Sequence, residues 1–352
     1  MPKNGKRRNE SDGHWARSPW QMPWRAWKQI ASRTWIRTWQ DNVGLVSAGV
    51  AYYGFLAIVP LLGLIVLAYG LLADPQKVVD DFRMLASILP ADVARLIAEQ
   101  LLGAIKSSKE TKGIGIIVGL LVALYGATNG AGAIVTALNI AYSEKEKRSL
   151  WRFYLTTIVI TLVAVAIAIA GLAAMTVLTF LGHFLPEASP FAISLTRLGA
   201  LVGLGLIAAA VAATLYRFAP SREEARWQWI TPGSVFAGIV WILLTSLFSY
   251  YVTNIANYSA TYGSLGTVVV LLTWIYLSAY ALVFGGELNS EIEHQTARDS
   301  TTGEPLPMGR RGAWAADHVA QSDEPDTKDT PSLAEATPEA PTTTESKDRK
   351  RS

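Results

Sequence analysis

One stretch near the end of the chain, Tyr262–Glu293, constrains the fold more than any other. It reads YGSLGTVVVLLTWIYLSAYALVFGGELNSEIE, and it carries no charged residue from Thr267 to Phe284. With its flanking glycines, this run is long enough to cross a bilayer core of about 30 Å as a helix. Lys and Arg normally flank the cytoplasmic end of a span, but this run ends in Glu287, Glu291 and Glu293. The stretch therefore predicts a membrane-spanning helix with an acidic end.

Five further apolar runs have a similar length, and the charges are gathered between them and at the two ends of the chain. Only 17% of the residues are charged, against roughly 25% in soluble domains. This pattern predicts an all-α polytopic membrane protein with six transmembrane helices. The predicted spans are about 43–72, 113–137, 153–181, 191–216, 231–254 and 263–287.

The segments outside the spans have their own character. Residues 1–40 are basic and rich in Trp, and their Trp residues recur at three- or four-residue spacing, which places them on one helical face. Such a helix suits the cytoplasmic membrane interface, although a soluble packing helix is an alternative. Residues 74–112 predict two short amphipathic surface helices, and residues 297–352 are polar enough to predict a disordered cytoplasmic tail.

The distribution of Lys and Arg predicts the orientation. Residues 1–40 hold nine of them, whereas the short loops after the third and fifth spans hold none. Since positive charge stays on the cytoplasmic side, both termini are expected to be cytoplasmic. The chain has no cysteine, which excludes disulfides, thiol catalysis and Cys-ligated metals.

Polar residues near the cytoplasmic ends of the spans are the candidate site. Glu287 and Glu291 lie four residues apart on one helical face, whereas Asn289 is turned away from Glu287. An ionisable group at membrane depth is expected to be paired or to face a cavity. Glu287 could therefore be an ion or proton site, or it could form an ion pair with Arg148, Arg152 or Arg217. The candidates for a polar vestibule or ion site are Glu287, Glu291, Asn289, Asn129, Asn139, Tyr52 and Tyr53, and the alternative is that these groups bond neighbouring helices.

Glycines at four-residue or similar spacing indicate close helix packing inside the membrane. The candidates are Gly115, Gly119, Gly126, Gly130, Gly199, Gly203, Gly263 and Gly266. Such glycines serve contacts within a chain and between chains equally well, so a homo-oligomer stays open.

No enzyme motif is present. The sequence lacks the histidine-rich zinc patterns, G-x-S-x-G and a Walker loop. We therefore predict no catalytic residues, no metal and no cofactor, and we expect no nucleic-acid partner.

Four segments of the sequence resemble the YihY/BrkB family of bacterial inner-membrane proteins. They are AYYGFLAIVPLL, GAIVTALNIAYSEKEKR, TPGSVFAGIVW and the stretch that ends in GGELNSEIE. The resemblance covers roughly residues 25–295 and implies six spans, both termini in the cytoplasm and an inner-membrane location. Some members of the family are linked with serum resistance. The family once carried the label ribonuclease BN, but the tRNA-processing hydrolases of that name need a zinc motif that this chain lacks.

The sequence thus predicts a transporter or channel whose partners are the lipid bilayer and an unknown solute. A non-transporting envelope-integrity scaffold is the first alternative, and a membrane-bound ribonuclease is the second. A water-accessible cavity that converges on Glu287, Asn129 and Tyr52 would favour transport. A solid interior would favour the scaffold.

Overall fold

The computed structural model describes residues 13–70, 94–95, 97–99, 102–103, 114–182, 190–254 and 265–320. Residues 1–319 form one compact unit, and residues 320–352 form a second unit that lies outside the described residues except for Ala320. The amphipathic helices predicted for residues 74–112 also lie largely outside them. A short 3-10 turn, Pro19–Gln21, precedes the helices. These are α1 (Trp24–Gln40), α2 (Val43–Gly70), α3 (Ile114–Ala141), α4 (Leu150–Gly182), α5 (Pro190–Phe218), α6 (Trp227–Asn254), α7 (Gly266–His294) and the short α8 (Trp314–Asp317).

The long helices make this an all-α polytopic membrane protein. Five segments within the described residues are long and apolar enough to cross a membrane: Val43–Ile65, Ile117–Ala141, Leu150–Gly171, Trp227–Asn254 and Gly266–His294. Helix α5 adds a shorter apolar segment, Val202–Phe218. All six helices were predicted, and α7 extends beyond its predicted end at residue 287.

Helix α7 lies at the centre of the bundle. It packs against α6 and α2 along its length and also contacts α1, α3 and α8. Helix α2 pairs with α3, α3 with α4, and α5 with α6. Helix α7 therefore touches elements from both halves of the chain.

Glycines allow the closest helix crossings. A Cβ at Gly233 would overlap the carbonyl oxygen of Gly285, and a Cβ at Gly285 would lie 2.8 Å from the carbonyl oxygen of Gly233. Helices α6 and α7 can therefore meet only because both positions lack a side chain. Between α2 and α3, a Cβ at Gly126 would lie 2.8 Å from Cγ of Pro60.

The glycines predicted for packing have different surroundings. A Cβ at Gly130 would lie 3.0 Å from Cβ of Ala57, so Gly130 joins Gly126 in the contact with α2. A Cβ at Gly199 or Gly203 would meet no described residue within 4 Å. Gly119 lies in α3 and Gly266 is buried at the start of α7. The side-chain surroundings of Gly115, and Gly263 altogether, lie outside the described residues.

One end of the bundle gathers the polar segments, and we call it the polar end. It comprises α1 and residues 142–149, 219–226 and 295–318. The Arg37 guanidinium donates to the Ser143 hydroxyl at 2.7 Å, and the Lys147 amide donates to the Ser221 hydroxyl at 3.0 Å. Hydrogen bonds therefore connect the N-terminal helix and both basic connectors at a single end.

Residues 297–318 belong to this folded end, which corrects the disordered tail predicted from residue 297. The carboxylate of Asp299 accepts hydrogen bonds from the amides of Thr301 and Leu306. The amide of Trp314 donates to the Glu144 carboxylate at 2.6 Å. A composition poor in apolar residues predicted disorder, but these hydrogen bonds order the segment without a large apolar core.

Helix α1 has two different faces. Ala26 and Ile30 are fully buried and pack against Trp229 and Ile292. The opposite face exposes tryptophans, namely Trp20 from the preceding turn and Trp24, Trp35 and Trp39. The buried face attaches α1 to α7, and the exposed tryptophans have the composition of a membrane-interface helix.

Candidate functional site

The C-terminal part of α7 is a buried polar helix end. Glu287, Asn289, Ser290, Glu291, Glu293 and His294 are all buried. We call these residues the α7 polar cluster. The helix does not stop where the apolar run stops, because α1, the two connectors and residues 295–318 surround the next two turns. Buried charges need partners, and the polar end supplies them.

Glu291 is held by two arginines of α1. Its carboxylate lies 2.6 Å from Nε of Arg33 and 2.7 Å from Nε of Arg37. Nδ1 of His294 lies 3.5 Å from the same carboxylate. The ring of Trp314 covers this group, with the Arg37 guanidinium 4.4 Å from its centroid. Glu291 therefore fastens the N-terminal helix to the end of α7.

Glu293 is paired with the connector between α5 and α6. The Arg222 guanidinium lies 2.6 Å from its carboxylate, and the Ser300 hydroxyl donates to the same carboxylate at 2.7 Å. Burial opposes the charge of Arg222, but the neighbouring Glu293 carboxylate raises the pKa of that guanidinium. Arg222 also lies 5.1 Å from the ring centroid of Tyr142, and burial raises the pKa of the Tyr142 hydroxyl. The Arg222 guanidinium therefore stays charged beside a neutral Tyr142 phenol.

Asn289 points away from the carboxylates and forms hydrogen bonds with backbone groups of α6 next to Pro232. Pro232 lies inside that helix, where it removes a backbone donor and disturbs the hydrogen bonds around it. The Asn289 side chain accepts from the amide of Gly233 at 2.8 Å and donates to the carbonyl of Ile230 at 3.0 Å. Asn289 thus has a defined structural role at the glycine crossing of α6 and α7.

Glu287 differs from the other two carboxylates. It is 0% exposed, and its carboxyl group shares a side-chain hydrogen bond with another carboxyl group and not with an arginine. Its electrostatic neighbours are the Asp41 carboxyl group at the end of α1, the Arg37 guanidinium and Glu291. Glu287 and Asp41 therefore form a hydrogen-bonded acidic pair at the deepest point of the cluster.

The arginines proposed from the sequence as partners of Glu287 are engaged elsewhere or lie apart from it. Arg148 pairs with Glu146 at 2.8 Å, and Arg217 pairs with Glu224 at 2.8 Å. Arg152 is exposed at the start of α4. The expected pairing is corrected: the basic groups that reach the α7 polar cluster come from α1 and from Arg222. The spacing of Arg33 and Arg37, one turn apart and off the Trp face, was the signal that could have identified them.

A separate groove opens between α2, α3 and α4. It has a volume of about 420 Å³, and we call it the α2–α4 groove. Its walls are mostly apolar, and its polar lining residues are Tyr53, Thr128, Asn129, Thr136, Tyr154 and Thr157. The hydroxyls of the three threonines donate to carbonyls of their own helices, so they are already satisfied.

Asn129 is the unusual lining residue. It lies 12 residues before the end of α3 at Ala141, which places it about 18 Å from the polar end at 1.5 Å per residue. Its side chain is exposed in the groove and makes no hydrogen bond to any described residue. An amide at that depth has no bulk water to bond with, and leaving it without a partner is costly. The groove therefore offers an available donor and acceptor near the middle of the membrane.

The predicted vestibule residues are divided between different places. Tyr53 and Asn129 share the α2–α4 groove, whereas Tyr52 is exposed outside it, with its ring against Tyr53 at 5.4 Å. Asn139 is buried, donates to the Glu146 carboxylate and accepts from the amide of Ser221. Glu287, Glu291 and Asn289 lie in the α7 polar cluster. The α2–α4 groove, which Asn129 lines, is lined by neither Glu287 nor Tyr52.

Comparison with known proteins gives a consistent family. Residues 34–307 match the family described as Virulence factor BrkB. The chain is 31% identical to "Putative ribonuclease-like protein YfkH" of Bacillus subtilis over 75% of this chain and 93% of that protein. It is 27% identical to a UPF0761 membrane protein of Alteromonas mediterranea, over 72% of this chain and 84% of that protein. A UPF0761 membrane protein of Psychromonas ingrahamii is also 27% identical, over 74% and 86% of the two chains. No solved structure matches the chain.

Proposed function

Because this chain belongs to the Virulence factor BrkB family and is an integral membrane protein, we propose that it moves an amphiphilic, phospholipid-like molecule across the bacterial inner membrane. The α2–α4 groove with Asn129 at mid-depth is the observation that supports this proposal. The groove is open on one side and mostly apolar, so a molecule with acyl chains can enter it from the bilayer. The Asn129 amide then gives its polar group a hydrogen-bonding partner where the membrane offers none.

The α7 polar cluster has a different role in this proposal. Its ion pairs are buried except for a partly exposed Arg33, and they join α1 and the connector that carries Arg222 to α7. The Ser300 hydroxyl adds a hydrogen bond from residues 295–318. Such a cluster suits a fixed frame on one side of the membrane, against which α2, α3 and α4 can open and close. The acidic pair of Glu287 and Asp41 has no described access to the groove, so we assign the solute site to the groove and not to Glu287.

We propose six spans with both termini in the cytoplasm. The gathering of α1, the basic connectors and residues 295–318 at one end supports this orientation, since Lys and Arg favour the cytoplasmic side. The native chain has no cysteine, so single cysteines give a clean test. A cysteine at Ser189 or Ser259 should react with an impermeant thiol reagent from the periplasm, and one at exposed Ser149 should not. The opposite labelling would refute the orientation.

Transbilayer movement of a fluorescent phospholipid tests the transport proposal. The purified chain is reconstituted into vesicles that contain a headgroup-unmodified phosphatidylcholine with a fluorescent acyl chain, and quenching of the outer leaflet reports movement. The wild-type chain should move the lipid faster than protein-free vesicles. Asn129→Leu should slow it about tenfold, since a lost hydrogen bond in an apolar site is worth about 1–2 kcal/mol.

Ser246→Leu is the matched control. Ser246 is an exposed polar residue in the C-terminal half of α6, away from the groove, and its replacement makes the same kind of change in polarity. This variant should move the lipid at the wild-type rate. Equal rates for Asn129→Leu and the wild type, or no movement by any variant, would refute the assignment of the groove.

A scaffold without transport is the second candidate, and the density of buried ion pairs in the α7 polar cluster favours it. The same vesicle assay separates the two, because a scaffold moves no lipid. We also propose that the chain is not an enzyme, although the name of the Bacillus subtilis protein includes "ribonuclease-like". Incubating the purified chain with transfer RNA and measuring cleavage tests that part directly.

A further inference from the structure

We propose that a pocket of four arginines at the polar end, separate from the α2–α4 groove, binds a phosphate group. The pocket has a volume of about 400 Å³, which is more than a phosphate group needs. Its charged lining residues are Arg17, Arg226, Arg298, Asp299 and Arg311. Four positive charges against one negative charge leave a local excess of three.

Three of the four arginines are held in place by backbone carbonyls. Nε of Arg226 donates to the carbonyl of Thr301 at 2.8 Å, and Nε of Arg298 donates to the carbonyl of Trp15 at 3.0 Å. Arg311 is buried and donates only to carbonyl oxygens. None of the four makes an ion pair with a described carboxylate. Backbone carbonyls therefore orient the guanidinium groups of Arg226, Arg298 and Arg311 without an ion pair.

Asp299 does not neutralise the pocket. Its carboxylate accepts hydrogen bonds from the amides of Leu306 and Thr301 and from the Thr301 hydroxyl. Burial acts against its charge, but the bond from the Leu306 amide and those from Thr301 outweigh burial and lower the pKa of Asp299, with a further contribution from Arg311. Its lone pairs are thus directed to the backbone, where they shape the loop that forms the pocket wall.

The remaining donors favour a phosphate group. Arg17 is exposed and its side chain makes no hydrogen bond to a described residue, and the terminal amino groups of Arg298 also have no described acceptor. Guanidinium groups bind phosphate through two parallel hydrogen bonds, and phosphate has enough oxygens for several of them. Arg226 directly precedes α6 at Trp227, so the pocket lies near the membrane surface. The phosphate can belong to a lipid headgroup or to a soluble compound.

Two binding measurements on the full-length chain distinguish these sources. In detergent, the thermal unfolding midpoint is followed as inorganic phosphate replaces chloride at constant ionic strength. In nanodiscs, the same midpoint is compared between phosphatidylcholine alone and phosphatidylcholine with phosphatidylglycerol. A rise with inorganic phosphate supports a soluble source, and a rise with phosphatidylglycerol alone supports a lipid headgroup.

Arg17→Gln should raise the half-maximal phosphate concentration, or reduce the phosphatidylglycerol response, at least tenfold. Arg298→Gln is the second variant and should do the same. Arg25→Gln is the matched control, because Arg25 is exposed on α1 and lies outside the pocket, and it should stay within twofold of the wild type. Equal responses of Arg17→Gln and Arg25→Gln, or no response to either phosphate source, would overturn the proposal.

Discussion

Glu287 and Glu291 lie one helical turn apart and are both 0% exposed, yet we expect opposite results when each is changed to Gln. Glu291 has two arginines at 2.6 and 2.7 Å. Removing one partner of a buried ion pair costs about 3–5 kcal/mol, because the other charge is left buried without compensation. Glu291→Gln removes the carboxylate that both Arg33 and Arg37 contact and should lower the free energy of unfolding by about that amount.

Glu287→Gln makes the same chemical change without this loss. The Glu287 carboxyl group already shares a side-chain hydrogen bond with Asp41, and an amide of the same shape can donate that bond without carrying a charge. This variant should be at least as stable as the wild type. Unfolding by sodium dodecyl sulfate in mixed micelles, followed by intrinsic fluorescence, measures both variants. If Glu291→Gln stayed within about 1 kcal/mol of the wild type, which is the usual effect of a point mutation, the assigned role of the cluster would be wrong. The same holds if Glu287→Gln were the more damaging change.

Two further changes test other parts of the fold. Gly233→Ala should destabilise the chain by about 1–3 kcal/mol through overpacking against Gly285. Gly63→Ala is the control and should be neutral or slightly stabilising, because a Cβ there meets no described residue within 4 Å. Equal effects of the two changes on the free energy of unfolding would exclude a close crossing of α6 and α7. The hydrogen-bonded Arg148 lowers the pKa of Glu146 from 4.5 to about 2. This pair therefore stabilises the fold above pH 4.5, and its contribution is lost as the pH falls from 4.5 to 2. Glu146→Gln should flatten the unfolding free energy in that window, and an unchanged slope would exclude the pair as its cause.

The hydrophobic pattern of the sequence was sufficient for the helices. Long apolar runs form helices in a membrane, because there each backbone donor and acceptor must be satisfied within its own helix. The end of α7 was harder to predict. Glu287 was expected to end the span, but the helix continues to His294. It can do so because arginines from distant segments form ion pairs with Glu291 and Glu293. Those pairs join residues more than 70 positions apart, or more than 250 in the case of Arg33 and Glu291, and helical periodicity carries no information about such contacts.

Glycine spacing was only a partial guide to packing. Gly126 and Gly130 make the close contact with α2, but the pair Gly199 and Gly203 has the same spacing and meets no described residue. A small residue permits close approach without causing it, and the neighbouring helix decides whether the space is used. At Gly233 and Gly285, no four-residue pattern marks the closest crossing. Its signal is chemical, since Pro232 opens the backbone of α6 and Asn289 follows Gly285 by one turn to fill the gap.

The most direct test of the groove assignment is to find where a lipid headgroup can reach. A phosphatidylcholine with a photoactivatable diazirine on its headgroup is incorporated into vesicles with the purified chain, and the crosslinked peptides are mapped by mass spectrometry. Ordinary lipids keep their headgroups at the helix ends, whereas Asn129 lies about 18 Å from the polar end. We predict crosslinks to α3 between Thr128 and Thr136 in the wild type and in Ser246→Leu, and their loss in Asn129→Leu. Crosslinks confined to the ends of the helices in all three proteins would contradict the groove as a path for an amphiphilic solute.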